Sequence, residues 1–200
     1  MSKNTENGLI KNKILGRELF SSEDIEKRVS DLGRAITEHY KNKDLLLISV
    51  LKGGVIFLSD LIKQIDLPLR IDFMSISTYG IDDTSTGVVR ITKDLDESIE
   101  GKDVLIVEDI IDTGLTISYL LRNLKSRFPK SIELCTLLDR DVRRISNIDI
   151  KYVGFKIGRK YIVGYGLDYK QKFRNMSSIY ELKLDTVKKD IESLKSSSNI

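Results

Sequence analysis

The stretch that most constrains this chain is Val104-Leu105-Ile106-Val107-Glu108-Asp109-Ile110-Ile111-Asp112-Thr113-Gly114-Leu115-Thr116-Ile117. Four consecutive apolar residues run directly into two acids. A continuous run, unlike an alternating one, suits a strand buried on both faces of a parallel sheet, and the acids then mark its carboxyl end. Asp112-Thr113-Gly114-Leu115-Thr116 follows with a glycine for a tight turn and two small hydroxyl side chains. Ile117, Leu120, Leu121 and Leu124 then recur at helical spacing. The pattern is a strand, an anion-cradling loop and a helix N-terminus.

The same grammar repeats elsewhere. Leu45 to Val50 is a second buried strand, entering Leu51-Lys52-Gly53-Gly54 and then an apolar helix through Val55, Phe57, Leu58, Leu61, Ile62 and Ile65. The glycines can admit a ligand and Lys52 can supply a cation, or the motif is an ordinary turn with a solvated lysine; alone it leaves both open. Ser131 to Leu138 is a third buried strand, ending in Asp139-Arg140-Asp141. Around these, Ser21-Ser22-Glu23-Asp24 reads as a capping box for a helix carrying Ile25, Val29, Leu32 and Ile36. Leu69 to Ser77 and Val88 to Ile91 read as strands flanking a long polar loop, with Ser77, Thr78 and Tyr79 at its base. Tyr152 to Phe155 and Tyr161 to Gly166 read as shorter strands, and Leu184, Val187, Ile191 and Leu194 have helical spacing. His39, the only histidine, is read as a surface residue near the end of its helix.

Strands alternating with helices, without a repeat or linker, specify an open α/β sheet with right-handed crossovers. The 200 residues, 40% hydrophobic, suffice for one domain. Lys+Arg 33 against Asp+Glu 30 gives a formal net charge of +3, too small a field to single out nucleic acid. Cys135 is the only cysteine, which excludes an internal disulfide and a thiolate cluster and fits a reducing cytoplasm. No segment reaches the roughly 18 to 20 apolar residues of a membrane span, and Met1 to Asn7 lacks the apolar core of a signal peptide, so a cytoplasmic protein is expected.

Ligands of open α/β sheets bind beyond the carboxyl ends of the strands, where Lys52-Gly53, Glu108-Asp109-Asp112 and Asp139-Arg140 should converge. A loop leading into a helix aims several N–H groups at one anion, with hydrogen bonds to charged groups worth roughly 1.5–3 kcal/mol each. The acids would repel a bare phosphate, so they require hydroxyls to accept from or a divalent cation between them. A sugar phosphate satisfies both. Gly101-Lys102 lacks the glycine five residues earlier that a triphosphate loop needs, that position being Asp96, and no Gly-x-Gly-x-x-Gly follows a first strand.

Val107 to Thr116 resembles the phosphoribosyl pyrophosphate signature of type I phosphoribosyltransferases. Leu51-Lys52-Gly53-Gly54, Ser77-Thr78-Tyr79-Gly80, Lys93-Asp94-Leu95-Asp96, Tyr152-Val153-Gly154-Phe155 and Val163-Gly164-Tyr165-Gly166-Leu167-Asp168-Tyr169 are similar, in order and spacing, to the hypoxanthine-guanine branch of that family. The resemblance covers roughly Leu45 to Ile179. It implies the type I phosphoribosyltransferase fold over residues 1–200, a core of about 22–165 with a small hood from the N-terminal segment and about 166–185. It also implies transfer of the 5-phosphoribosyl group from phosphoribosyl pyrophosphate to N9 of hypoxanthine or guanine, releasing pyrophosphate, with Mg²⁺.

By matching position, Asp112, Thr113, Gly114, Leu115 and Thr116 would hold the 5′-phosphate, and Glu108 and Asp109 the ribose hydroxyls, directly or through Mg²⁺. Lys52, Gly53 and Arg174 would bind pyrophosphate, the peptide before Lys52 being cis as in the family. Arg140, Tyr161, Ile162 and Asp168 would surround the purine, and Asp168 would meet a second Mg²⁺. Asp112 would face N7 as general acid/base, and the loop at Ser77, Thr78 and Tyr79 would close over the reaction. The family also implies a homodimer or homotetramer. Three departures stand out: Arg140 replaces the usual lysine, Tyr161 the usual phenylalanine, and Ile157-Gly158-Arg159 lacks the usual Pro-Asp. They leave hypoxanthine, guanine and xanthine open as the preferred base. A regulator keeping this fold but binding RNA is the competing class, and it would need a basic face with aromatic residues.

Overall fold

The computed structural model describes residues 14–79, 88–183 and 185. They fall into two compact units, one from the residues up to Ile25 and from Lys160 onward, the other Glu26–Arg159.

The larger unit is built on a six-stranded sheet. Its strands are β2 (Leu45–Leu51), β3 (Arg70–Tyr79), β4 (Val88–Lys93), β5 (Asp103–Ile111), β6 (Ser131–Asp139) and β7 (Tyr152–Lys156), in the order β4-β3-β2-β5-β6-β7. All neighbours are parallel except β3 and β4, which form an antiparallel pair at one edge. The central run behaves as a doubly covered strand must, with Val104, Leu105, Ile106 and Val107 all at 0% exposure. Alternation divides these strands between two layers. Leu46, Ile48, Val104, Ile106 and Leu134 pack with Ile117, Leu120 and Leu124 of α3 (Leu115–Lys125). The opposite face carries Leu47, Leu105, Val107 and Cys135, all buried.

Two more helices contribute their apolar stripes. In α1 (Ser22–His39), Ile25, Val29, Leu32 and Ile36 are buried. The capping box forms as read: the Asp24 N–H donates to Ser21 Oγ, and the Ser21 N–H donates back to the Asp24 carboxylate, each at 3.1 Å. The next helix, α2 (Val55–Ile62), ends three residues before the expected Ile65. Gln64 and Ile65 close i→i+3 bonds onto Leu61 and Ile62, a tightened last turn that still buries Ile65.

His39 departs from the surface reading. It is half-buried, with its Nε2 3.0 Å from the Nζ of both Lys43 and Lys151 and 3.6 Å from Glu133. Burial holds its pKa below the ordinary value; Glu133 opposes that, while Lys151 and Lys43 add to it. Cys135 is buried, which pushes its thiol up and leaves it inert.

The smaller unit holds a three-stranded antiparallel sheet, β1 (Leu15–Phe20), β8 (Ile162–Val163) and β9 (Ile179–Leu182), ordered β1-β9-β8. Val163 and Leu182 form its small core with Ile14, Leu15, Tyr169, Phe173 and Tyr180. The expected strand over Tyr161 to Gly166 shrinks to two residues because Gly164, Tyr165 and Gly166 take φ of +106°, +49° and +95°, which turns the chain. The sequence-predicted helix beginning at Leu184 and the polar loop 80–87 lie outside the described residues. Among the described residues no helix is long and apolar enough to cross a membrane.

Candidate functional site

Strands β2, β5 and β6 lie side by side and parallel, so their carboxyl ends emerge together. After β2 the Leu51–Lys52 peptide is cis, as the resemblance implies. A Cβ placed on Gly53 would sit 1.9 Å from Asp109 Oδ2, so a side chain here would have to displace that carboxylate of β5. At the other flank, Arg140 after β6 donates from its guanidinium to Asp112 Oδ2 at 2.9 Å. The three polar clusters meet pairwise at one end of the sheet.

The loop between β5 and α3 is shaped by a segment that follows β6. The Arg140 N–H donates to the Ile111 carbonyl at 3.0 Å, Arg144 Nε to the Asp112 carbonyl at 3.0 Å, and the Ile145 N–H to the Thr113 carbonyl at 2.9 Å. Residues 140–146 thus strap the carbonyl side of 111–113. In a planar trans peptide the N–H points opposite to the C=O, so the N–H groups of Thr113 and Gly114 are turned away from the strap. Gly114, at φ +83°, is the N-cap of α3, a conformation that other residues rarely adopt. Oriented N–H groups and a helix N-terminus on one side of a loop are the ingredients of an anion site. A cavity of about 210 Å³ opens there, lined by Glu108, Asp112, Thr113, Gly114 and Thr116 together with Val50, Ile110, Ile111 and Ile117.

Charge at this end is strongly patterned. Asp112 Oδ2 accepts from Arg140 and, at 3.0 Å, from Arg143. Arg144 also pairs with the buried Asp139. On β5, burial raises the Glu108 carboxyl well above its ordinary range, and the charge of Asp109 adds to it. Two adjacent carboxylates, one reluctant to ionise, form a donor set that a hard dication would relieve. Among the described residues no three His, Cys, Asp or Glu side chains are grouped to hold a metal by themselves. The Glu108 and Asp109 pair fits Mg²⁺, an ion that usually takes one or two carboxylates and its remaining ligands from water and substrate oxygens.

The other expected site residues lie in the smaller unit or on β3. Arg174 pairs with Asp168 at 2.6 Å and donates to the Gly166 carbonyl at 2.7 Å, while the Gln171 N–H donates to Asp168 Oδ2 at 2.8 Å. Ile162 is buried in β8 and Tyr161, just before it, is half-exposed. Ser77 pairs with Arg90 across β3 and β4, and the backbone of Thr78 and Tyr79 completes β3. Reading the sequence missed Arg143, Arg144, Ile145 and Ser146. The available signal was Arg140, Arg143 and Arg144 crowded after a strand that adjoins an acidic loop.

Together the fold and loop define an α/β protein with an anion site and paired carboxylates at the carboxyl ends of parallel strands. The chain belongs to the phosphoribosyl transferase domain family, whose domain matches residues 17–170. Among curated relatives, a hypoxanthine-guanine phosphoribosyltransferase of Mycobacterium avium is 51% identical over 167 residues, 80% of this chain and 82% of that protein. Among solved structures, a hypoxanthine phosphoribosyltransferase from Staphylococcus aureus superposes with a TM-score of 0.86 at 46% identity, covering 90% of this chain and 97% of that one. A hypoxanthine-guanine-xanthine phosphoribosyltransferase gives 0.77 at 42% identity, covering 84% and 98%.

Proposed function

We propose that this protein transfers the 5-phosphoribosyl group from phosphoribosyl pyrophosphate to N9 of hypoxanthine or guanine, yielding the nucleotide and pyrophosphate. The observation that carries the reading is the strapped loop after β5, whose free side faces a cavity rimmed by Glu108 and Asp112. Asp112 to Thr116 take the 5′-phosphate, with the Thr113 and Gly114 N–H groups and the threonine hydroxyls as donors. Glu108 and Asp109 accept from the ribose hydroxyls. Lys52, Gly53 and Arg174 receive pyrophosphate; Arg140, Tyr161, Ile162 and Asp168 receive the purine; Ser77, Thr78 and Tyr79 form the base of a closing loop.

Breaking the bond from C1 to pyrophosphate builds positive charge on the ribose and negative charge on what leaves. Lys52 and Arg174 stabilise the leaving group, and closure over the centre keeps water from the ribosyl cation. Asp112 holds the proton at N7 of the purine as its N9 becomes bonded to C1. Glu108 and Asp109 would hold one Mg²⁺ and Asp168 would meet a second, and the ions would supply charge neutralisation. The reading carries with it a cytoplasmic homodimer or homotetramer.

Arg140, in place of the lysine usual in the family, supports a second reading in which xanthine is the better base. A planar fork presents its donors differently from an ammonium. Incubation with phosphoribosyl pyrophosphate, Mg²⁺ and each of the three purines, with nucleotide measured, ranks the bases; no product from any of them refutes both readings. Asp112→Asn is expected to lower turnover more than it weakens phosphoribosyl pyrophosphate binding. Unchanged turnover would remove the acid/base role.

A further inference from the structure

We infer that Arg143 is a positioning residue for Asp112, holding that carboxylate in its working orientation while Arg140 serves the purine; this rests on the reading of Asp112 as the group at N7. The two oxygens of Asp112 are treated unequally. Oδ2 accepts from Arg140 at 2.9 Å and from Arg143 at 3.0 Å, whereas Oδ1 is closed to solvent and has no hydrogen-bond partner. A buried acceptor without a donor gives the carboxylate no anchor, so the orientation of Asp112 depends on the donors at Oδ2.

One guanidinium would suffice to hold Oδ2 in the absence of a base. Arg140, however, is buried at the root of the strap and must divide its donors once a purine carbonyl arrives. Arg143 sits on the short 3-10 turn Asp141–Arg143 with half its side chain in solvent, and it reaches Asp112 from outside that exchange. It therefore keeps Oδ2 fixed, and with it the direction of Oδ1, through the catalytic cycle. The other groups around Asp112 leave this hold to Arg143. Glu108 lines the same cavity and brings no cation, while Arg144 is spent on the Asp112 and Ile111 carbonyls and on Asp139.

The alternative is an exposed ion pair with no measurable role, which is common for surface arginines. Steady-state kinetics of R143Q, R143K and the unaltered protein separate the two. For R143Q we expect kcat to fall about three- to tenfold with the KM for phosphoribosyl pyrophosphate changed by less than about twofold, and R143K to recover most of the rate. A second variant, R143M, checks that the effect is not a property of the glutamine amide. Unchanged kcat in R143Q and R143M overturns the proposal. So does a fall in rate matched by a rise in that KM, since this would mean that the arginine supports the phosphate loop. If the unaltered protein forms no nucleotide, the function reading fails and the proposal with it, an outcome distinct from an active protein indifferent to Arg143.

Discussion

Replacing Gly114 by alanine puts a methyl group on a backbone held at φ +83°, 2.5 Å from Ile148 Cδ1 and 3.0 Å from Arg144 Cδ. The left-handed conformation costs an alanine about 1–2 kcal/mol. Reduced freedom of the unfolded chain returns about 0.4–1 kcal/mol, so strain alone leaves a net loss of about 1 kcal/mol. The contact with Ile148 is with the end of a side chain that can swing aside, and Arg144 can give only by loosening its hold on the Asp112 carbonyl. Gly101 is the internal control: it has φ +70° and no heavy atom within 4 Å of its notional Cβ. Thermal unfolding of G101A should show the strain term alone, about 2–4 °C for about 1 kcal/mol in a chain of this size. G114A should lose more, and its KM for phosphoribosyl pyrophosphate should rise at least about tenfold, because the displaced atoms set the direction of the loop N–H groups. Equal losses in the two variants with KM unchanged in G114A would refute the link between strap and loop.

Two further outcomes follow from the charges. Glu108 has a folded-state pKa raised above its unfolded value, so its contribution is favourable below the unfolded value and is lost as pH rises through the folded one. E108Q should therefore stabilise the ligand-free protein increasingly from pH 5 to pH 8 while weakening phosphoribosyl pyrophosphate binding; a pH-independent difference in melting temperature would contradict the raised carboxyl. Arg144→Ala leaves the buried Asp139 without its guanidinium, at a cost of about 3–5 kcal/mol. It should also raise the KM for phosphoribosyl pyrophosphate, and urea unfolding with a midpoint close to that of the unaltered protein would count against both.

What the sequence could convey here depended on the kind of contact. Strand β5 and its loop were legible because a strand covered on both faces needs an unbroken apolar run, and because a turn into a helix needs glycine. The capping box of α1 is equally local. Strand β1 was less legible: Leu15–Phe20 includes Gly16, Arg17 and Glu18 and pairs only with β9 through an irregular register, so it shows no clear period. His39 read as a surface residue because Lys151 and Glu133 are about a hundred positions away in the chain. The strap, signalled only by its crowded arginines, was obscure for a different reason. Arg144 and the N–H groups of Ile145 and Ser146 bind backbone carbonyls, and carbonyls belong to every residue alike, so no residue type in the loop announces its partner.

The strap limits how portable the loop is. Asp112 to Thr116 looks like a self-contained cassette, and grafting those five residues between a strand and a helix of another α/β protein would be the obvious way to transplant an anion-binding loop. The strap argues that such a graft would arrive without its mould. Carbonyls left untethered would be free to rotate, and the N–H groups would no longer share a direction. The smallest transferable unit is the loop together with Asp139 to Ser146, delivered from the neighbouring strand, so the two segments should be inherited, and engineered, as one.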